Sequence, residues 1–595
     1  MQEVKERKEI SNKDKWDLSS IYKNSNEWQK DLNYIKDEIK LLMLFEGKLN
    51  NKKDILDFFV SSDTLYRKLE KLYVYSRLIL DQDLSNSKAQ NNAYRVENIM
   101  TDCATKLAFA NPEIMSNSKE FLLALADDKD MKDYSYRLKL IANNLDHRLN
   151  KDNEEILAQV DNFAGLFKDT FQMFDNVNIK FEDFVNSKNE NVKLSHGIYS
   201  YYMYSDNRED RKKAFESMFN AYKNNIDMIS LLYKGNVTKN VVKSRIRKFK
   251  SAFDRATFSE DVPMSVYETL VKCIHKGLPY LHDYMDYRKK VLGYEQLHMY
   301  DMHTAIVPDC DICVSYKEAT KIVKEALKPM GKEYADLLNK AFSSRWIDVY
   351  ENKGKRSGAY SWGCYDSHPY VLLNYTETTN DIFTIAHELG HALHSHYSNN
   401  ALPYSLAGYE IFVAEVASTV NETLLLKYLL KKAKSNNEKK YYLAHFLDMF
   451  RTTVFRQTQF AEFEYKAHDL VEKDKSIDKD VLCDIYYKLN KEYYGDNVVN
   501  DELIKYEWAR IPHFYNAFYV YKYATGLISA VCIAQNILEK GEVFVEKYKS
   551  FLKAGGSMSP IDILKLVDVD LTTKKPYEKA MKVFKDTLDE IKSLD

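Results

Sequence analysis

Residues Thr384–His394 read TIAHELGHALH and hold the most specific chemical arrangement in this chain. His387 and His391 stand four apart, so on a helix they share a face and can direct two imidazoles at one ion. Glu388 directly follows the first histidine, which sets its carboxylate beside such an ion but not on it. There it can take a proton from water activated by the metal, the chemistry of a metallopeptidase. An H-E-x-x-H sequence arises by chance in only about a few per cent of chains this long. The alternative is an ordinary helix whose histidines satisfy each other or water, and the residues that follow weigh against it.

Two histidines leave a catalytic zinc one protein ligand short. A third histidine would come from a continuation with glycine at position 394 and histidine at 397. This chain has His394 and Tyr397 there, which excludes that pattern. A carboxylate on a following helix is the remaining usual solution, and GYEIFVAEVASTVNETLLL (408–426) offers Glu410, Glu415 and Glu422. Glu415 and Glu422 are seven apart and share a face, so one can bind the metal while the other orients a histidine. Glu410 falls about 140° around the helix from Glu415 and is expected to face elsewhere.

The elements that must position these groups are mostly helices. Only 10 prolines and 17 glycines occur in 595 residues, too few breakers for a loop-rich chain and enough length for two or more lobes. Lys+Arg of 86 against Asp+Glu of 88 leaves a formal charge of −2, so charge gives no reason to expect nucleic acid or membrane as a partner. The seven cysteines are odd in number and scattered, as for reduced thiols in the cytoplasm. Cys310 and Cys313 form a lone C-x-x-C, expected to be plain thiols. The N-terminus is charged and shows no apolar signal region. Tyr523–Leu538, the most apolar window, is too short and too polar to span a bilayer and reads as a buried helix.

In chain order, residues 16–100 read as antiparallel helices, with Leu65, Leu69, Leu72, Tyr73, Leu78 and Leu80 at helical spacing. A helix is expected over 153–174, with Ile156, Leu157, Val160, Phe163, Ala164 and Phe167 on one face and Asp152 or Asn153 as cap. Residues 176–184 and 191–197 flank the turn NSKNE as a small hairpin. Asp206, with Glu209 three residues on, is expected to open one long helix toward 248. A boundary near 195 would divide an N-terminal helical lobe (1–195) from a catalytic region (196–595). VVKSRIRKFK (241–250) reads as a solvated helix face. Just before the metal helix, Tyr370-Val371-Leu372-Leu373 is β-prone and is expected to offer a free strand edge to an extended peptide. Thr378, Thr379 and Asn380 are cap candidates for the metal helix.

HELGHALHS followed by FVAEVASTVNE resembles the thimet-oligopeptidase-like zinc peptidases, and most closely their oligoendopeptidase F branch. The resemblance extends to WDLSSIY (16–22), YDMHTAIV (300–307), PYVLLNY (369–375), TVFRQTQFAEFE (453–464) and RIPHFYNAFYVYKYATG (510–526), nearly the whole chain. It implies a mostly α, two-lobed zincin with a small β-sheet beside the metal helix and a deep channel that admits only short peptides. It implies one zinc ion per chain, with Glu415 as third ligand and Glu422 behind a histidine. It also implies that His513 and a tyrosine hydrogen-bond the tetrahedral oxyanion. The tyrosine spacing departs from that of better-known thimet members, leaving Tyr519, Tyr521 and Tyr523, of which Tyr523 is favoured. Gly555-Gly556 is implied to be a turn near the site.

The resulting expectation is a cytoplasmic zinc metallo-endopeptidase of short peptides, with His387, His391 and Glu415 on the metal and Glu388 as general base. A carboxypeptidase or dipeptidyl carboxypeptidase with the same zinc chemistry would need a fixed cation for the substrate's terminal carboxylate, for which Arg356 and Arg510 are the candidates. A peptide-binding protein without turnover would have no use for Glu388. A scaffold for other proteins would be indifferent to loss of His387.

Overall fold

The computed structural model describes residues 4–307 and 313–595. The fold is mostly α-helical with a few small β-sheets, as expected. Its residues group into two compact units, one of residues 4–146, 313–429 and 533–569, the other of residues 147–307, 430–532 and 570–595. Each unit draws on three stretches of chain, so a single cut near residue 195 describes a division of the sequence rather than of these units.

In the first unit, the helices Ser25–Met43, Lys52–Gln82 and Ser87–Lys106 open on Asn24, Asn51 and Asn86, whose side chains accept main-chain N–H groups of the first turn. Their apolar stripes meet in one core that includes Ile35, Ile39, Leu65, Leu69, Leu72 and Leu78. A three-stranded sheet adds to it. Strands β1 (Ile347–Asp348), β2 (Tyr360–Trp362) and β3 (Tyr370–Leu372) lie in the order β1-β3-β2. Tyr370 and Leu372 enter the core of the N-terminal helices.

The expectation of a free peptide edge at Val371 is corrected here. β3 is the central strand, parallel to β1 and antiparallel to β2. The Val371 N–H donates to the Trp346 carbonyl at 2.9 Å. A fully buried run reads alike for an edge and a centre, and nearby sequence gives no sign of which strands flank it. The side of β2 away from β3 is the one that such a peptide would need.

The sheet is anchored by charge. Buried Asp348 pairs with Arg7 Nη2 at 2.6 Å and with Lys355 Nζ at 2.8 Å. Lys355 Nζ also donates to the carbonyls of Tyr350 (2.7 Å) and Leu373 (2.5 Å), so its buried ammonium is fully satisfied.

In the second unit, three expectations shift. The helix expected over 153–174 is two, Lys151–Ala164 and Leu166–Met173, separated at Gly165 and capped by Asn150 rather than by Asp152 or Asn153. Leu157 and Ala164 are buried, whereas Ile156 and Phe163 are exposed. The hairpin forms, but with strands of two residues each, Phe184–Val185 and Asn191–Val192, and residues 174–178 form a π turn. The helix expected from Asp206 is capped by Asn207 and divides at Asn225 into Arg208–Asn224 and Ile226–Ile246. Within VVKSRIRKFK, Arg247 does more than meet solvent, since its guanidinium grips the Glu154 carboxylate at 2.8 and 3.0 Å.

No helix among the described residues is long and apolar enough to cross a membrane. The apolar window at 523–538 falls inside the helix Tyr521–Lys540 and is buried almost throughout. The six described cysteines stand outside any disulfide, and of these only Cys313 is exposed. Cys310 lies outside the described residues.

Candidate active site

Two helices of the first unit build the candidate metal-binding face. Helix α1 (Thr379–Ala401) opens on a capping box in which Thr378 Oγ1 accepts the Asp381 N–H and Asp381 returns to the Thr378 N–H at 2.9 Å. Of the three cap candidates, Thr378 is the one used. Helix α2 (Ile411–Lys432) crosses α1 at unusually short range. A Cβ on Gly390 would lie 2.4 Å from the Ser418 Cα and 2.7 Å from the Ala417 carbonyl oxygen. Only glycine fits there, so the second x of H-E-x-x-H and the small residues of EVAS together set the helix spacing. The buried Asn421 secures the crossing, donating to the Ala386 carbonyl at 3.0 Å and accepting the Tyr334 hydroxyl at 2.9 Å.

At this crossing one ligand atom each from His387, His391 and Glu415 lies within 4.8 Å of the others. The two Nε2 atoms are 3.2 Å apart, and Glu415 Oε2 lies 3.7 Å from His387 Nε2 and 3.8 Å from His391 Nε2. Ligands at about 2.1 Å around a tetrahedral zinc ion stand about 3.4 Å apart, so the set matches a tetrahedral cation with one position left over. Glu422 takes the other role that the sequence left open, accepting a hydrogen bond from His387 Nδ1. That fixes the tautomer in which Nε2 offers its lone pair. For His391 the equivalent partner is the Ala414 carbonyl, a main-chain group that no side-chain pattern announces. Glu410 is exposed and lies just ahead of α2. His394 is buried against the Tyr409 ring at 3.8 Å and takes no part in the ligand set.

The charges support the same division of labour. Burial works against a charged His387, but the Glu422 hydrogen bond and the Glu422, Glu388 and Glu415 carboxylates raise its pKa to about 9. Burial pushes His391 the other way, to about 3, helped by the charge on His387. One ring thus holds a proton amid three carboxylates, and a cation on the Nε2 atoms would satisfy the same charge. Burial raises Glu415 as well. Glu388 is 7% exposed, and burial lifts its carboxyl to about 7. His387 draws it down while Glu415 and Glu422 push it up.

Strand β2 packs on α1 and meets this carboxyl. Ser361 stands opposite Val371, whose N–H is committed to β1, so Ser361 is the β2 residue whose main-chain groups face away from β3. Its N–H is directed at the Glu388 carboxylate. Sequence reasoning misses Ser361, because the signal lies in sheet order.

The second unit holds the other expected residues. His513 sits in a short 3-10 turn, Pro512–Tyr515, ahead of the helix Tyr521–Lys540. Burial, helped by Arg456, lowers its pKa and keeps it neutral. The Tyr523 hydroxyl is 3.4 Å from His513 Nε2. The Tyr519 ring stacks on His513, centroids 6.1 Å apart and planes 22° apart. Tyr521 is buried with Phe253 and Tyr267 about it.

Neither candidate cation for a terminal carboxylate stands alone. Arg356 Nη1 is 3.4 Å from Asp81 Oδ2 and its guanidinium lies 5.5 Å from the Tyr360 ring centre. Arg510 lies over the Tyr199 ring at 5.1 Å and beside Glu507. Gly555 and Gly556 press on the segment that joins α1 to α2. A Cβ on either would meet the Leu406 or Gly408 carbonyl oxygen at 2.4 or 2.3 Å, and the Gly556 N–H donates to Leu406 O at 2.8 Å.

Known proteins share this organisation. The family described as Peptidase family M3 matches residues 201–583, and that described as Oligopeptidase F matches residues 113–181. Oligopeptidase PepF of Bacillus subtilis is 39% identical, over 100% of this chain and 89% of its own length. A crystal structure from Chlamydophila abortus is 34% identical, with all of both chains covered and a TM-score of 0.94. That of oligoendopeptidase-F from Enterococcus faecium is 31% identical, covering 96% of this chain and 99% of its own, with a TM-score of 0.74.

Proposed function

This chain belongs to peptidase family M3, and from that premise we propose that it is a zinc-dependent endopeptidase that cleaves internal bonds of short oligopeptides. The coarser statement, a metallopeptidase of the oligopeptidase type, follows from the family itself. The observation that carries the finer one is the convergence of His387, His391 and Glu415 with the Glu388 carboxyl beside them.

A zinc ion held by His387, His391 and Glu415 would supply Lewis-acid polarisation of the scissile carbonyl and acidify the attacking water. Glu388 takes the water proton on its carboxylate and later gives it to the leaving amine. Glu422 keeps His387 oriented toward the metal. The pair His513 and Tyr523 donates hydrogen bonds to the oxyanion that develops on the scissile carbonyl, as the resemblance implies. The outer edge of β2 is the edge on which an extended peptide would align, pairing with the Ser361 carbonyl while the Ser361 N–H serves Glu388.

The restriction to short peptides is carried from the relatives' names. Cytoplasmic action and a division into an N-terminal region (1–195) and a peptidase region (196–595) complete the reading, the latter supported by where the two family matches end and begin.

The test is hydrolysis of an internally quenched peptide of about ten residues, blocked at both ends, since a blocked C-terminus denies a carboxypeptidase its anchor. Wild-type cleavage that chelator abolishes and zinc restores, and that Glu388→Gln lacks, is the expected result. Cleavage only after the C-terminus is freed would replace this reading with a carboxypeptidase. Zinc binding without any turnover would replace it with a peptide-binding protein.

A further inference from the structure

Helix α3 (Arg456–Glu472) carries Glu464, whose carboxyl is 0% exposed and touches no metal-binding residue named above. Its Oε1 accepts the main-chain N–H of Phe518 at 2.8 Å. Its Oε2 has no hydrogen-bond partner among the described residues, nor have the neighbouring hydroxyls of Tyr233 and Tyr515. Burial lifts Glu464 to about 8. A carboxyl so enclosed is costly to keep, and an apolar side chain of similar volume would fill the space at less cost.

The group it holds explains the cost. Phe518 has φ of +57°, a left-handed conformation that a bulky side chain adopts only against steric resistance. The ring is buried against Phe253 and His468, at 4.9 and 4.6 Å between centroids, so the residue cannot relax by swinging outward. Phe518 lies between His513 and Tyr523, and its backbone turn sets how the 3-10 turn that bears one meets the helix that bears the other. Lys522 reinforces the same stretch, with its ammonium paired to Glu260 and lying 5.1 Å from the Tyr519 ring centre.

We propose that Glu464 is a positioning residue of the reaction, holding the left-handed turn at Phe518 and through it the register of His513 against Tyr523. The inference rests on the reading of that pair as oxyanion donors. Glu464 touches neither substrate nor metal. Its reach matters and its charge does not, because an amide oxygen in the same place accepts the same N–H.

Two conservative variants separate reach from the carboxyl itself. Glu464→Gln keeps the length and the acceptor, and Glu464→Asp keeps the carboxyl but withdraws the acceptor by one methylene. Against the doubly blocked peptide, Glu464→Gln should retain kcat within about threefold, whereas Glu464→Asp should lose about tenfold or more with KM little changed, the scale of a small misplacement. Hydrogen exchange in a peptide spanning 514–520 should quicken in Glu464→Asp alone, while zinc content stays at one per chain in both. Glu464→Asp with wild-type kcat, or Glu464→Gln as impaired as Glu464→Asp, would overturn the proposal. His513→Ala measured alongside keeps the two readings apart. An unchanged kcat there defeats the oxyanion role of His513, while the exchange result still reports whether Glu464 holds the turn.

Discussion

The crossing of α1 and α2 and the segment 510–526 carry chemistry by opposite means. At the crossing the groups come from two regular helices, at spacings of four and seven residues, and each of the two histidines has an identified partner behind it. His387 rests on Glu422, His391 on the Ala414 carbonyl, and the Ala386 carbonyl just before them on Asn421. The segment 510–526 instead uses a 3-10 turn, a strained φ at Phe518, stacked rings and a buried carboxyl. In the first region a substitution should remove one chemical function and leave the geometry standing. In the second, geometry itself can be lost through a residue that touches no reactant.

Glu388→Gln is the largest expected effect and the sharpest test of the first half of that contrast. Loss of a general base costs about 10²–10⁴-fold in kcat, and the upper part of that range is expected where the base serves two proton transfers. The bound zinc should remain at one per chain, because Glu388 is not among the grouped ligand atoms. Loss of zinc along with activity would mean that the helix pair does not separate binding from proton transfer. His513→Ala comes next, at about 10²-fold in kcat with zinc retained, the usual cost of one oxyanion donor.

A smaller effect tests the second layer of the helix crossing. Glu422→Ala should weaken zinc affinity by about 10–100-fold and leave kcat at saturating zinc within a few-fold. Competition with a chelator of known affinity reads the first quantity, and turnover in excess zinc the second. A kcat that stays low at saturating zinc would make Glu422 part of the chemistry rather than the support of His387.

The same contrast separates what is legible in the sequence from what is not. His387, Glu388 and His391 are legible because one helical period fixes their relation, and Glu415 with Glu422 because seven residues return to the same face. Periodicity does not say which of those two carboxylates groups with the histidines, since that depends on how α2 crosses α1. The crossing is set by Gly390 against Ser418, a contact between segments nearly thirty residues apart. Sheet order is hidden for the same reason. Val371 reads as a strand, but its neighbours at Ile347 and Ser361 are placed by the fold, so the edge that a peptide could use belongs to β2 and not to β3. Helix starts blur by a residue or more where several Asx or Thr side chains compete, as at Asn150, Asn207 and Thr378, and the capping-box spacing of Asp206 with Glu209 points to the wrong one of two neighbours.

The three tyrosines give the smallest effects and the finest discrimination. Tyr521 is buried beside Phe253 and Tyr267, whereas Tyr519 and Tyr523 are partly exposed and meet the His513 ring, so the choice lies between those two. Stacking of Tyr519 on His513 uses the face of its ring, and that contact survives loss of the hydroxyl. Tyr523 instead brings its hydroxyl to His513 Nε2, and that contact does not survive. A donor shared with His513 should be worth less than His513 alone, so Tyr523→Phe should lower kcat by about tenfold with little change in KM. Tyr519→Phe should leave kcat within about twofold, since ring stacking persists. The reverse order would give the oxyanion role to Tyr519, and with it a segment whose working geometry is set by stacking rather than by the Tyr523 hydroxyl. Equal and small effects would leave His513 as the one donor that 510–526 supplies, and the two tyrosines as walls that hold it.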